Sequence, residues 1–308
     1  MTKDLLSIAD LTRQEVDALL ARAAELKVML RRGARHQPLV GKTLGMIFAK
    51  PSTRTRVSFE VAMVQLGGAA IFLSTQDLQL GRGETIADTA RVLSGYLDGI
   101  MIRTFAQADV EELARWASVP VINGLTDLTH PCQILADLLT ITEHRGGYEQ
   151  VKVAYVGDGN NVCHSWLLAA GLLGFELAVA CPAGYRPDPR MVERARALAA
   201  PGAPRITLTE DPFEAVKDAG AIYTDTWASM GQEQEHEARV RVFRPYQVNR
   251  SLVEAARGDA LVMHCLPAHR GEEITDEVMD GPRSVVFPQA ENRLHLQKAV
   301  LERLLGGR

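Results

Sequence analysis

Short apolar runs alternate with stretches of helical spacing along almost the whole chain, and this alternation restricts the fold more than any other feature. "KTLGMIFA" (42–49) reads as a buried strand and "RTRVSFEVAMVQLGG" (54–68) as a helix closed by glycines. "AAIFLS", "DGIMIR" and "VPVING" read as further strands, separated by the helical stretches "GETIADTARVLSGYL" and "QADVEELARWA". A helix beginning near Pro131, "PCQILADLLTITEHRG", leads to the glycine pair Gly146–Gly147. The alternation then restarts with "KVAYVGDG", "NVCHSWLLAAGLLG", "ELAVACP" and "PRMVERARALA" and ends with "AGAIYTDTW", "LVMHCLP" and a helix near 291–305. Such an order predicts parallel sheets covered on both faces. The restart predicts an α/β chain of two doubly wound parallel-sheet domains linked by helices, which a length of 308 residues can supply with two cores. The expected domains are 1–147 and 148–290, with the last helix, about 291–308, packing back on the first.

The formal net charge of -4 argues against a nucleic-acid partner, which would need a broad basic face, so any cationic site must be local. The four cysteines, Cys132, Cys163, Cys181 and Cys265, form no CxxC pair and suit a reducing compartment. No stretch has transmembrane length and the first residues lack a signal-peptide core, so the expectation is a cytoplasmic protein with no membrane partner.

Ligands of doubly wound sheets sit beyond the carboxyl ends of strands, and most polar clusters of this chain follow a strand. "PSTRTR" places Ser52, Thr53, Arg54 and Thr55 between a strand and a helix, where free N–H groups, hydroxyls and a guanidinium suit a phosphate. A capped helix with solvated arginines would use the same residues. Arg103 ends a strand and His130 precedes Pro131, on the same expected rim. "VGDGNNVCHS" (156–165) has two of the three glycines of a dinucleotide fingerprint. Val162 replaces the third, and no acid ends the next strand, so nicotinamide binding is disfavoured. Asn160 and Asn161 at a helix start suit a carboxylate instead. Asp225, in "DTWASMG", could cap a turn or bind an amine. His264, Cys265 and His269 invite a metal reading, but the spacing matches no zinc template, and no metal is expected.

"STRTRVSFE", "HPCQ", "DTWASMG" and "HCLPAHRG", in that order, resemble the carbamoyltransferases across nearly the whole chain. "SMG" and "HCLP" are similar to the ornithine branch of that family rather than the aspartate branch. The resemblance implies carbamoyl transfer from carbamoyl phosphate to L-ornithine, giving citrulline and phosphate, with no cofactor. It implies a carbamoyl-phosphate-binding first domain and an ornithine-binding second domain. Ser52, Thr53, Arg54 and Thr55 would hold the phosphate, Arg103 would reach phosphate and carbonyl oxygen, and His130 would donate to that oxygen. Gln133 would hold the carbamoyl amide, and Arg293 and the Leu266 carbonyl would complete the pocket. Gln79 would enter the pocket of a neighbouring subunit, in a homotrimer or an assembly of trimers with sites at subunit interfaces. Asn161, Asp225, Ser229 and the Met230 backbone would bind the α-amino and carboxylate groups of ornithine. Cys265, near Asp225, would face the side-chain amine.

The expected mechanism is direct attack by the amine, with no acylated residue and with Cys265 positioning or handling a proton. Other acceptors, a redox role for the second domain, and a non-catalytic phosphate-binding module are the competing readings.

Overall fold

The computed structural model describes residues 3–79, 83–203, 205–228 and 235–307. The chain forms two compact units, one of residues 1–139 and 291–308, the other of 140–290. The division falls inside the helix Pro131–Arg145 rather than at the glycine pair that follows it.

In the first unit, β1 (Thr43–Phe48), β2 (Ala69–Ser74), β3 (Gly99–Arg103) and β4 (Val121–Leu125) form a parallel sheet in the order β2-β1-β3-β4. β1 and β3 are buried along nearly their whole length, as continuous apolar strands of a doubly covered sheet should be. β2 is an edge strand and exposes Ile71 and Phe72. The chain moves from β1 outward to β2, then crosses to β3 on the other side. The strand order therefore reverses between β1 and β3, which is where such sheets open a crevice.

The second unit repeats the plan with one more strand. β5 (Val153–Val156), β6 (Leu177–Ala180), β7 (Ile206–Thr209), β8 (Ala221–Thr224) and β9 (Leu261–His264) are parallel in the order β7-β6-β5-β8-β9. Here the reversal lies between β5 and β8. Trp227, Phe243, Ile222, Val262 and Val286 share one of its buried clusters.

The doubly wound α/β class expected from the alternation is the one observed. The sequence reading did not contain β7, whose residues are all half-buried and give no apolar run. The final helix starts at Val286 rather than near 291, with Pro288 in its first turn, where a missing N–H costs no intrahelical bond. Among the described residues no helix is long and apolar enough to cross a membrane.

Candidate active site

The first polar cluster lies at the reversal point of the first unit. Phe48 and Arg103 are register partners at the ends of β1 and β3, and the Ala49 N–H donates to the Arg103 carbonyl at 2.8 Å. Four residues after Phe48, Ser52 caps the helix Thr53–Gln65, its hydroxyl accepting from the Thr55 N–H at 3.2 Å. The sequence places hydroxyls and arginines in the first turn of that helix, where unpaired N–H groups and the dipole favour an anion. Thr53 is exposed, Arg54 half-buried and Thr55 buried. Arg103 is buried at 6% exposure.

Arg293, from the last helix, is also buried. It donates to Gln133 Oε1 at 2.6 Å and to Thr55 Oγ1 at 3.3 Å. Gln133 Nε2 donates in turn to the buried Asp137 at 2.8 Å, so the Gln133 amide is oriented from both ends. Asp137 was not among the residues singled out in the sequence; one helical turn after Gln133, it carries no motif of its own.

His130 is fully enclosed. Burial, and then the charges of Arg293, Arg103 and Arg54, hold its pKa well below the ordinary value of 6.5. The imidazole is therefore neutral at physiological pH. The unfolded chain takes up its proton first, so this histidine's stabilising contribution is present above about 6.5 and is lost as pH falls towards the depressed folded value. Denaturant unfolding of the parent and His130→Gln between about pH 7 and pH 5 should show the parent losing stability more steeply. Equal losses would contradict a neutral His130.

The second cluster spans the reversal point of the second unit, where Asn160 after β5 meets Asp225 after β8, and extends to the neighbouring end of β9. Thr224 and His264 are register partners at the ends of β8 and β9, so Asp225 and Cys265 leave neighbouring strand ends together. Asp225 Oδ1 accepts from Cys265 Sγ at 2.9 Å and from the Thr226 N–H at 2.8 Å, and Oδ2 accepts from Asn160 Nδ2 at 2.8 Å. Asn160 is the N-cap of the helix Asn161–Leu173; its Oδ1 accepts from the Val162 and Cys163 N–H groups and from the Tyr155 hydroxyl at 3.1 Å. Those bonds fix which end of the amide points at Asp225. Asn161, the expected ligand, is half-buried at the start of the same helix.

Asn160 orients Asp225, a role the sequence analysis missed, because in the pair "NN" the spacing does not say which asparagine caps. Asn160→Asp keeps the cap but sets a second carboxylate against Asp225. The expected result is a KM for the amine substrate raised about 10-fold or more with little change in melting temperature. An unchanged KM would show that Asn160 acts on the helix alone.

His264 is wholly buried and holds the segment after β9. Its Nδ1 accepts from the Leu266 N–H at 2.8 Å, and its Nε2 faces Glu273 Oε1 at 3.0 Å. Leu266 sits at φ 61°, a backbone region that is uncommon for a branched residue and recurs at functional sites. Cys265 is half-buried, whereas Cys132, Cys163 and Cys181 are buried. Burial pushes the Cys132 thiol up to about 11 and the Cys181 thiol up to about 12. Gly157 and Gly159, read as a weakened dinucleotide loop, have another use. Gly157 adopts φ 143°, and a side chain on Gly159 would collide with the backbone of Arg186 and Pro187.

Gln79 is exposed after β2, its carbonyl accepting from the Glu84 N–H at 3.3 Å. Ser229 and Met230 lie outside the described residues.

Strand-end clusters of this kind, one rich in arginines and one built around a carboxylate and a thiol, are where a doubly wound α/β protein of two units binds its ligands. The family profile described as aspartate/ornithine carbamoyltransferase, carbamoyl-P binding domain, matches residues 3–143, and its Asp/Orn binding domain matches 149–304. An ornithine carbamoyltransferase from Syntrophus aciditrophicus is 60% identical, covering 99% of this chain and 100% of that protein. An anabolic ornithine carbamoyltransferase from Pyrococcus furiosus is 58% identical over 99% of this chain and 97% of its own. The solved ornithine carbamoyltransferase from Pyrococcus furiosus superposes with a TM-score of 0.96 at 58% identity, covering 99% of this chain and 97% of that one. The chain belongs to the aspartate/ornithine carbamoyltransferase family.

Proposed function

We propose that this carbamoyltransferase moves the carbamoyl group of carbamoyl phosphate to the δ-amine of L-ornithine, giving L-citrulline and phosphate in arginine biosynthesis. The observation that carries the proposal is the buried Arg293 held on Thr55 of the Ser52-capped helix turn and on Gln133, whose amide is oriented in turn by Asp137. In that reading Ser52, Thr53, Arg54 and Thr55 hold the phosphate, as the cap and first turn of their helix favour. Arg103 spans phosphate and carbonyl oxygen, and His130 donates one ring N–H to that oxygen. Gln133 retains an N–H for the carbamoyl group beyond the one given to Asp137. Arg293 and the Leu266 carbonyl complete the carbamoyl phosphate ligands, with Gln79 offered to a neighbouring subunit.

On the acceptor side, Asp225 attracts the ammonium groups of ornithine, with Asn161, Ser229 and the Met230 backbone as further ligands. A free alkylamine has a pKa of about 10, so it must lose a proton before it attacks. Cationic surroundings favour that loss, and Cys265, hydrogen-bonded to Asp225, positions the amine or passes the proton on. The amine nitrogen bonds to the carbamoyl carbon, the tetrahedral oxyanion meets arginine and imidazole donors, and the C–O bond to phosphate breaks. Such preorganised donors are worth on the order of 3 kcal/mol each. No residue is acylated.

We assign the chain to a homotrimer or an assembly of trimers with active sites at subunit interfaces, the arrangement that the resemblance to the carbamoyltransferases implies. We place the enzyme in the cytoplasm. Mixing the chain with carbamoyl phosphate and ornithine should release citrulline and phosphate in equal amounts. Phosphate release without citrulline would mean hydrolysis and would remove the proposal.

A further inference from the structure

Away from Asp225 and Cys265, the segment "HRGEE" (269–273) brings three donor side chains together. His269 Nδ1, a Glu272 oxygen and a Glu273 oxygen all lie within 4.8 Å of one another. His236, which opens the helix His236–Phe243, joins them with its Nε2 3.1 Å from Glu272 Oε2. His269 Nδ1 is 4.0 Å from Glu272 Oε2 and 3.8 Å from Glu273 Oε2. We propose that His236, His269, Glu272 and Glu273 form a site for a divalent transition-metal ion of the zinc and cobalt class.

Bonds of about 2.0–2.1 Å place tetrahedral ligand atoms about 3.3–3.4 Å apart, so His269 Nδ1, 3.8 and 4.0 Å from the two carboxylates, must close in on them by about half an ångström, which a rotation of the partly exposed His269 and Glu272 side chains can supply. Two imidazoles with carboxylates suit a borderline ion rather than calcium or magnesium, which take oxygen ligands.

The second observation is Glu273. Its side chain is fully buried, and its Oε2 has no hydrogen-bond partner among the described residues. A buried carboxylate oxygen without a partner is costly, and a cation beside His269 would satisfy it. The other oxygen, Oε1, is already engaged by His264 Nε2 and by the His269 N–H at 2.6 Å. That division fixes the carboxylate's orientation, with Oε2 turned towards the imidazole of His269.

The ligands stand on a fixed loop. Glu272 N–H donates to the His269 carbonyl, Gly271 N–H to Ile274, and Gln247 Nε2 to the carbonyls of Gly271 and Glu272 at 2.9 and 2.8 Å. Rigid support of this kind is what a metal site requires of its surroundings. Asp225, His264 and Cys265 also lie close together. Both ring nitrogens of His264 are engaged, by Leu266 and Glu273, and Nδ1 or Nε2 would have to give up a bond to ligate there.

Co²⁺ titrated into the full chain, stripped with a chelator, tests the site by visible absorption. The expected result is saturation at one ion per chain, with ligand-field bands and no thiolate charge-transfer band. His269→Ala and Glu272→Ala, at partly exposed positions, should each raise the Kd about 100-fold, while Cys265→Ala binds as the parent does. Circular dichroism on each variant checks that the fold is retained, and His236→Gln gives a second, milder loss. No binding up to millimolar Co²⁺, unchanged binding in His269→Ala, or a thiolate band that vanishes in Cys265→Ala would each overturn the proposal.

Discussion

Arg54→Ala should lower kcat/KM for carbamoyl phosphate by about 10³-fold while leaving the protein folded. Removing one preorganised donor from a charge-stabilising site typically costs 10²–10³-fold, and a guanidinium on a phosphate makes charge-assisted bonds about twice as strong as neutral ones. The side chain is half-buried and lies in the first turn of its helix, so its removal leaves the Ser52 cap and the buried Thr55 in place. Stability should therefore change by about 1 kcal/mol or less. Arg54→Lys would keep the charge but lose the planar fork, and should fall between the two. Turnover within a few-fold of the parent in Arg54→Ala would take the phosphate away from this helix.

Asp225→Asn should cost about 10²–10³-fold in kcat/KM for the amine substrate. Cys265 Sγ, the Thr226 N–H and Asn160 Nδ2 all donate to this one carboxylate. Asn160 cannot turn its amide around, because its oxygen caps a helix. An asparagine at 225 has one acceptor end only, so one side must face donor against donor, and the charge that attracts ammonium is gone. The loss should appear in the acceptor's kinetics, while the affinity for carbamoyl phosphate, measured separately, stays near the parent value. A variant with both substrates equally affected would point to general unfolding of the second unit instead.

Which residues lie at strand ends could be read directly from the sequence. Apolar runs identified β1, β3, β4, β5, β8 and β9, and the polar clusters lie at or just beyond the ends of those strands, at the two reversal points and at the neighbouring strands β4 and β9. Position alone left Ser52–Thr55 between a capped helix and a phosphate site and Asp225 between a turn cap and an amine ligand; the roles assigned to these residues and to Arg103, His130 and Cys265 came from the resemblance to the carbamoyltransferases. The strand order was not legible, because sequence alternation says that strands are parallel and not which are neighbours.

Residues that act through others were hidden for a different reason. Asp137 and Asn160 matter because of the atoms they hold, Gln133 Nε2 and Asp225 Oδ2, and such pairings appear only when the chain is folded. The metal reading was set aside on cysteine and histidine spacing alone, which left out Glu272, Glu273 and His236. In the fold, those three join His269, across a sequence gap that no short motif spans.

Citrulline-type product formation from carbamoyl phosphate, compared across ornithine, putrescine, acetylornithine and aspartate, tests the central claim most directly. Asp225, Asn161 and the "SMG" segment are assigned to the α-amino and carboxylate groups of the acceptor; putrescine lacks the carboxylate, acetylornithine has its α-amine blocked, and aspartate presents both groups without a side-chain amine. The account predicts a kcat/KM for ornithine at least about 100-fold above each of the others. Equal or greater kcat/KM with any other acceptor would contradict it.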